Sequence, residues 1–133
     1  MGLLIMEKLP KLEKEKSLIV PVPLTLGKEF RRGFNQSLIL AEEAGKVTGI
    51  PLSSTLLERK LSFSPSALLP KTEREVAVKG VFRCRTLRTP PPDHIILLDD
   101  VATTLATLTE CAREIRRRLG KQPSLWCVTV ARS

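Results

Sequence analysis

Short apolar runs alternate with amphipathic stretches along the chain. Runs typical of buried β-strands occur at residues 17–24, 52–58, 81–85, 94–98 and 124–131, with the sequences SLIVPVPL, LSSTLLE, VFRCR, HIILL and SLWCVTVA. Strands of a parallel sheet are covered on both faces and are therefore almost continuously apolar, as HIILL is. Because helical segments separate several of these runs, the pattern predicts an α/β fold with a parallel sheet and helices on both of its faces.

Two segments have the spacing of amphipathic helices. The first covers residues 37–47, and Asn35 or Ser37 is its expected N-cap. Within it, Glu42 and Lys46 are spaced to pair at i,i+4. The second follows the HIILL strand, and its apolar stripe consists of Leu105, Leu108, Ala112, Ile115 and Leu119. Such a stripe predicts a helix that packs one face onto the sheet.

The second predicted helix ends in three consecutive arginines, residues 116–118. Basic side chains near a helix C-terminus interact favourably with the helix dipole. We therefore expect this triplet to be a solvated helix face, and a role in binding an anion is the alternative.

Two segments show no clear period. Residues 1–16 form a charged lead-in, and residues 60–80 are rich in serine, proline and basic side chains. A long irregular excursion inside a compact domain is often a functional loop, so residues 60–80 are predicted to form a flexible loop. At 133 residues the chain has the length of one domain, and residues 1–133 are interpreted as such.

The charge balance directs attention to anionic ligands. The chain has 22 basic and 14 acidic residues, a net charge of +8 and a pI near 9.9, so polyanions are the first partner class to consider. Aromatic residues make up only 4% of the chain, whereas sites for single-stranded nucleic acid are usually built on aromatic faces. A nucleic-acid partner remains compatible with the basic surface, but the composition favours a small molecule that carries phosphate.

Cysteine content and hydropathy argue against several other classes of protein. Cys84, Cys111 and Cys127 are far apart and form no C-x-x-C pair, which predicts neither a zinc site nor a disulfide framework. They are expected to be small buried apolar residues in a reducing compartment. No apolar stretch is long enough to span a membrane, and the cytoplasm is the expected location.

The strongest chemical signal is the stretch IILLDDVATTLATL at residues 95–108. Asp99 and Asp100 follow a buried strand, and ligands of parallel α/β sheets bind at the carboxyl ends of strands. Two adjacent carboxylates can accept hydrogen bonds from a vicinal diol or hold a hydrated Mg²⁺ ion. The sequence therefore places a candidate sugar or magnesium site at this strand end.

The turn that follows the aspartates leads directly into the second helix. The backbone N–H groups of a helix N-terminus form an anion site, to which the hydroxyls of Thr103, Thr104 and Thr107 can add. A diol site beside a phosphate site suits a ribose 5-phosphate. In the alternative interpretation, the aspartates only cap the turn and the threonines only cap the helix.

These motifs resemble a known family. LLDDVATTLAT is similar to the phosphoribosyl-pyrophosphate (PRPP) loop of the type I phosphoribosyltransferases, which has two acidic residues, two variable ones, Thr-Thr-Gly and a further Ser or Thr. IVPVPL with RRGFNQSLILAE, and LLERK with LLPKTEREVAVKGVF, resemble the ComF and amidophosphoribosyltransferase-related branch. The resemblance covers roughly residues 17–133. The cysteine-rich zinc module that often precedes this domain in ComF proteins is not found in this sequence.

The resemblance implies a fold and an activity. The fold would be a parallel sheet of about five strands with helices on both faces, a small hood and a flexible loop. The ligand would be PRPP or a ribose 5-phosphate nucleotide with Mg²⁺, and the reaction would transfer the phosphoribosyl group and release pyrophosphate. The alternative is a non-catalytic PRPP- or nucleotide-sensing module, or a ComF-like DNA-uptake accessory. A homodimer is compatible with either.

The resemblance also assigns residues to roles. Asp99 and Asp100 would hold the ribose hydroxyls, and Arg74 of the flexible loop would reach the departing pyrophosphate, which makes these three the candidate catalytic residues. The 5-phosphate would be wrapped by Ala102, Thr103, Thr104, Leu105, Ala106 and Thr107. The pyrophosphate contacts of the family correspond to Pro23, Leu24, Arg31 and Arg32. Mg²⁺ would be bound mainly through PRPP, so no protein ligand to a metal is assigned.

Three positions depart from the family pattern. Leu105 replaces the loop glycine, Ser66 stands about where the family usually has Gln, and Ala77 stands where it usually has Asn. Glycine allows the backbone to approach a phosphate without a Cβ, and a positive φ at leucine is disfavoured by roughly 1 kcal/mol or more. We therefore expect Leu105 to turn inward and to become the first residue of the apolar stripe of the second helix.

Overall fold

The computed structural model describes residues 12–24, 34–60, 80–102 and 105–132 of the chain. A short 3₁₀ turn at Lys14–Lys16 precedes the first strand. The elements that follow are β1 (Ser17–Pro21), α1 (Gln36–Thr48), β2 (Leu57–Arg59), β3 (Phe82–Cys84), β4 (His94–Ala102), α2 (Ala106–Leu119) and β5 (Ser124–Arg132). The predicted alternation of strands and helices is thus confirmed for these residues.

Three strands form a parallel sheet in the order β1-β4-β5. The apolar β4 is the central strand, as its continuous hydrophobic run predicts, and it continues beyond the predicted end at Leu98 through both aspartates. Ile19 of β1 is in register with Ile96 of β4, and β5 pairs along the other edge of β4. β1 ends in register with Leu98, so the two aspartates lie just beyond the end of β1 and beside β5.

The predicted strand at residues 52–58 is divided between two places. Leu52 forms an isolated parallel bridge with Ile19 on the outer side of β1. Leu57–Arg59, in contrast, pairs antiparallel with Phe82–Cys84 in a separate two-stranded sheet. The described residues thus contain three parallel strands with one additional bridge, and not five complete strands.

The apolar side chains of the parallel sheet alternate between two cores. Val20, Ile95 and Leu97 face α2 and the antiparallel pair, whereas Ile19 and Ile96 face α1. Leu108, Cys111 and Ile115 of α2 complete the first core, and Ala41 and Ala44 of α1 belong to the second. The prediction of helices on both faces of the sheet is therefore confirmed.

Helix α1 begins and ends as its sequence indicates. The Asn35 side chain accepts a hydrogen bond from Ser37 N, and Gly49 ends the helix with a φ of 73°. This left-handed conformation favours glycine. The predicted pair of Glu42 and Lys46 is wrong, because Lys46 Nζ lies 3.0 Å from Glu43 Oε1 instead.

The cysteine prediction holds at two of three positions. Cys84 and Cys111 are buried, but Cys127 on β5 is exposed. Neither helix in the described ranges is both long enough and apolar enough to cross a membrane.

Candidate functional site

The two aspartates lie at the carboxyl end of β4, where the sequence predicts them. Asp99 is only 8% exposed, and its Oδ1 accepts a hydrogen bond from Ser37 Oγ at 3.1 Å. The Asp100 backbone N–H points to the same place, at 2.9 Å from Asp99 Oδ1 and 3.2 Å from Ser37 Oγ. Asp99 is thus fixed by α1 and by its own neighbour, and Asp100 is less buried.

The first turn of α1 is held at this strand end by Asn35. Its Oδ1 accepts from Ser37 N at 3.0 Å, and its Nδ2 donates to the Val22 carbonyl at 3.4 Å. Val22 N in turn donates to the Leu98 carbonyl at 2.9 Å, one residue before Asp99. The end of β1, the start of α1 and the end of β4 are therefore joined by one hydrogen-bonded network.

Burial changes the acidity of this pair. Removal from water raises the pKa of Asp99 to about 6, and the neighbouring Asp100 carboxylate adds to the increase, while the hydrogen bond from Ser37 opposes it. The Asp99 carboxyl group therefore gains or loses its proton at a pH close to neutral. A bound cation would favour its ionised form.

Leu105, the residue directly before α2, does not have the expected orientation. Leu105 has φ −81° and ψ 3°, and no side chain caps the helix at this position. Its side chain is 51% exposed, so the expected inward rotation is wrong. The negative φ relieves the strain that a glycine position would impose on leucine, and the apolar stripe begins at Leu108 instead. Leu105 therefore presents an apolar side chain to solvent directly before the helix N-terminus.

The other predicted site residues divide into two groups. The first group lies toward the carboxyl edge of the sheet. Ala102 ends β4, and Pro23 and Leu24 follow β1. Ala106 and Thr107 belong to the first turn of α2. The following residues lie outside the described ranges: Arg31, Arg32, Ser66, Arg74, Ala77, Thr103 and Thr104, together with residues 1–11 and 61–79 of the lead-in and the flexible loop.

Asp99 and Asp100 are the side chains at this strand end that could hold a metal ion. Within the described ranges, no group of three or more His, Cys, Asp or Glu side chains comes together in a way that could hold a metal ion. Two carboxylates can still bind a magnesium ion that keeps several waters and substrate oxygens as its other ligands.

Ser37 and Asn35 are site residues that the sequence prediction treated only as helix caps. Ser37 is fully buried and joins the carboxylate of Asp99 to α1. The signal was present in the order of the motifs, because the segment NQS follows a strand end and opens a helix. A helix that starts beside a strand end brings its first polar side chains to the same edge.

Leu105→Gly is expected to leave the free energy of unfolding unchanged or to raise it by up to about 1 kcal/mol, because glycine is a better N-cap than leucine and little apolar burial is lost. PRPP, the ligand that the family resemblance implies, is expected to bind up to about tenfold more tightly, because loss of the Leu105 side chain lets a phosphate approach the backbone more closely. Urea unfolding and calorimetric titration measure both. Leu105→Ala is the control, and equal tightening by alanine would show that the backbone path is not limiting.

Comparison with known proteins gives relatives with related names. The chain is 29% identical over 110 residues to Competence protein F of Haemophilus influenzae, covering 81% of this chain and 48% of the relative. It is 32% identical over 111 residues to DNA utilization protein YhgH of Salmonella typhi, covering 83% and 48%. It is 34% identical over 116 residues to Competence protein ComFC of Bacillus subtilis, covering 87% and 45%.

The chain thus spans about half the length of these curated relatives. No family model matches the sequence, and no solved structure matches it either. The resemblance to the ComF branch is supported by the names of these homologues, which are competence and DNA-utilization proteins.

Proposed function

We propose that the chain is a ribose 5-phosphate-binding module of a competence or DNA-utilization protein, with Mg²⁺-bound PRPP or a related nucleotide as its ligand. The observation that carries this proposal is the pair Asp99 and Asp100 at the carboxyl end of the central parallel strand, directly before α2. The names of the relatives support the biological setting.

In this proposal each side of the site takes one part of the ligand. Asp100 and Asp99 accept hydrogen bonds from the ribose diol, and the backbone N–H groups at the start of α2 bind the 5-phosphate. On the basis of the family resemblance, Arg31, Arg32 and Arg74 would bind the pyrophosphate, and Mg²⁺ would neutralise part of its charge. Ser37 orients the Asp99 carboxylate toward the sugar, since it holds one of the two carboxylate oxygens.

The proposal includes the larger sheet of the phosphoribosyltransferases. The bridge between Leu52 and Ile19 lies where a fourth parallel strand would pair with β1. The hydrogen bonds from Ile19 N to Pro51 O and from Ser53 N to Ile19 O, both 2.9 Å, support this placement. Residues 51–53 of the chain therefore already pair with the outer edge of β1 at Ile19.

Phosphoribosyl transfer is the second candidate function. Two carboxylates beside the anomeric carbon would stabilise the positive charge that develops as pyrophosphate leaves. The pKa of Asp99, about 6, would also allow its carboxyl group to exchange a proton with an acceptor near neutral pH. Leu105 acts against this function. It stands where the family has the loop glycine, and its side chain would hinder the approach of a phosphate to the backbone.

Calorimetric titration with PRPP, in Mg²⁺ and in EDTA, tests the proposal. We expect binding only with Mg²⁺, because the pyrophosphate would otherwise be repelled by the two carboxylates. Inorganic phosphate in Mg²⁺ serves as the control ligand and should bind more weakly than PRPP. Equal PRPP affinity in EDTA would contradict the proposal, and release of pyrophosphate from the same mixture with candidate acceptors would favour transfer over simple binding.

A further inference from the structure

The outer edge of β5 is open in the part of the chain that the structure describes. One edge of this strand pairs with β4 from Ser124 to Arg132, and no described strand pairs with its other edge. The opposite margin of the sheet differs, because residues 51–53 pair with the outer edge of β1 at Ile19. The outer edge of β5 is therefore the place where the described sheet could be extended.

The sequence of β5 lacks the features that usually keep an edge strand from pairing. Proteins protect such edges with charged side chains, prolines, bulges or very short strands. β5 has nine residues and is thus about 30 Å long. Its sequence SLWCVTVAR has no proline, and its one charged residue, Arg132, stands at the last position. The strand also keeps one offset from β4 along its length, so no bulge bends it away.

The side chains of β5 are uncharged on both faces of the sheet. Trp126 and Val128 pack on the side of α1, and Leu125 packs on the side of α2. Cys127 alternates with Trp126 and Val128, so it lies on the side of α2, and it is exposed. A strand laid beside β5 would therefore meet no charged side chain before Arg132.

We propose that two copies of this chain pair through β5 in antiparallel orientation and join their three-stranded sheets into one. Such a pairing is symmetric about a two-fold axis and uses the same edge of both copies. It occupies the open edge of each copy, while residues 51–53 already pair with β1 at the opposite edge. The assembly therefore stops at a dimer.

A second copy suits this edge better than a strand from another protein. A foreign peptide that adds to a sheet edge is selected by pockets and charges beside that edge. β5 has no charged side chain from Ser124 to Ala131 with which to select an acidic or a basic segment. A second copy supplies a strand of the same length and the same uncharged character. Arg132 of each copy would then lie opposite Ser124 of the other.

Pairing along the whole strand fixes the position of the two-fold axis. The axis passes through Val128, the middle residue of Ser124–Arg132, so Cys127 of each copy lies opposite Thr129 of the other. The two Cys127 residues are then diagonal neighbours, with Cα atoms about 7–8 Å apart. This separation exceeds the usual range for a disulfide and lies within the span of a short bismaleimide cross-linker.

The dimer leaves both candidate sites open. Because the two β5 strands run antiparallel, the carboxyl ends of the two sheets point in opposite directions. The acidic pair of each copy, Asp99 and Asp100 at the end of β4, therefore lies at the opposite end of the joined sheet from the pair of the other copy. The proposed dimer does not depend on the proposed ribose 5-phosphate site.

Sedimentation velocity over a series of protein concentrations tests the dimer. We expect a species of twice the chain mass of 14.8 kDa, which dissociates at low micromolar concentration because a strand pair is a small interface. Each copy has a net charge of +8, so added salt should screen the repulsion and strengthen association. A chain that stays monomeric up to about 0.1 mM, or association that weakens with salt, would overturn the proposal.

A charge placed beside the two-fold axis should break the dimer. Cys127→Lys brings two like charges together across the strand pair, and we expect dimerisation at least about tenfold weaker. Cys127→Ser adds no charge and should change it by less than about twofold. The matched control Val47→Lys adds the same charge at an exposed position of α1 and should leave the dimer intact. An unchanged dimer in Cys127→Lys, or an equal loss in Val47→Lys, would contradict the proposed interface.

Two measurements on the unmodified chain locate the interface without a charged substitution. A short bismaleimide should link two copies through Cys127, because Cys84 and Cys111 are buried, and Cys127→Ser should abolish the link while the dimer mass remains. In hydrogen exchange, the amides of Ser124–Arg132 should become more protected as the protein concentration rises. Protection of these amides that is equal at all concentrations would show that the edge is covered within one chain, and would overturn the proposal.

Discussion

Replacing Asp99 and Asp100 together by asparagine is expected to weaken PRPP binding in Mg²⁺ by at least about 100-fold. Two charge-assisted hydrogen bonds to the ribose would be lost, each contributing about 1.5 kcal/mol. Asparagine has the shape of aspartate and keeps an Oδ1 acceptor for Ser37 Oγ and Asp100 N. The fold should therefore persist, and calorimetric titration of the folded variant measures the loss.

The matched control for this variant removes two carboxylates elsewhere. Asp93 is exposed at the opposite end of β4, and Glu42 is exposed on α1, so Asp93→Asn/Glu42→Gln changes the net charge by the same amount. We expect its affinity for PRPP to stay within about twofold of the wild type. Unchanged affinity in the Asp99 and Asp100 variant would show that the ligand binds at another place.

Asp99→Asn is expected to make the protein more stable than the wild type at neutral pH, by on the order of 3 kcal/mol. The pKa of Asp99 is about 6 in the folded protein against a usual value of 3.8, and each pKa unit corresponds to about 1.4 kcal/mol. Between about pH 4 and 6 the folded state keeps a proton that the unfolded state releases. The free energy of unfolding of the wild type therefore falls as the pH rises through this range.

Urea unfolding of both proteins at several pH values measures this difference. Near pH 4 the wild-type carboxyl is protonated and resembles the neutral asparagine, so the two free energies of unfolding should nearly coincide. The difference should grow up to about pH 6 and then stay constant. Taking the difference also cancels the contributions of other carboxyls, such as Glu114, whose pKa is lowered by its hydrogen bond with Arg117. A difference that does not vary with pH would contradict the burial argument for Asp99.

Much of the sheet could be predicted from hydrophobic pattern alone. HIILL is apolar at every position except the first, and this property identified it as a strand covered on both faces. The divided strand at residues 52–58 could not be predicted in the same way. Leu52 bridges β1, whereas Leu57 pairs with Cys84, and a choice between two partners depends on distant contacts and not on local periodicity.

The part of the site at the end of β4 could be predicted from the sequence. Asp99 and Asp100 directly follow the apolar run of β4, so their position at the sheet edge follows from topology. The prediction that the Leu105 side chain turns inward was wrong, because helical spacing alone does not determine the residue at which a helix begins. The helix starts at Ala106, and Leu105 is its N-cap residue and stays exposed to solvent.

The contact between Ser37 and Asp99 shows what sequence reasoning lacks. The two residues are 62 positions apart in the chain, and the helical pattern of α1 gives no information on which strand its first turn will meet. Only the packing of α1 against β1 and β4 brings the hydroxyl to the carboxylate. Buried polar contacts of this kind depend on the complete arrangement of the elements.

The central claim is that the acidic pair at the end of β4, together with the start of α2, binds a phosphorylated ribose. Amide chemical-shift mapping of the ¹⁵N-labelled protein during titration with PRPP and Mg²⁺ tests this claim most directly. We expect the largest shifts at Ser37, Asp99, Asp100, Ala106 and Thr107. Shifts confined to the basic C-terminal part of α2, at Arg113, Arg116 and Arg117, with none at Asp99 or Asp100, would contradict it.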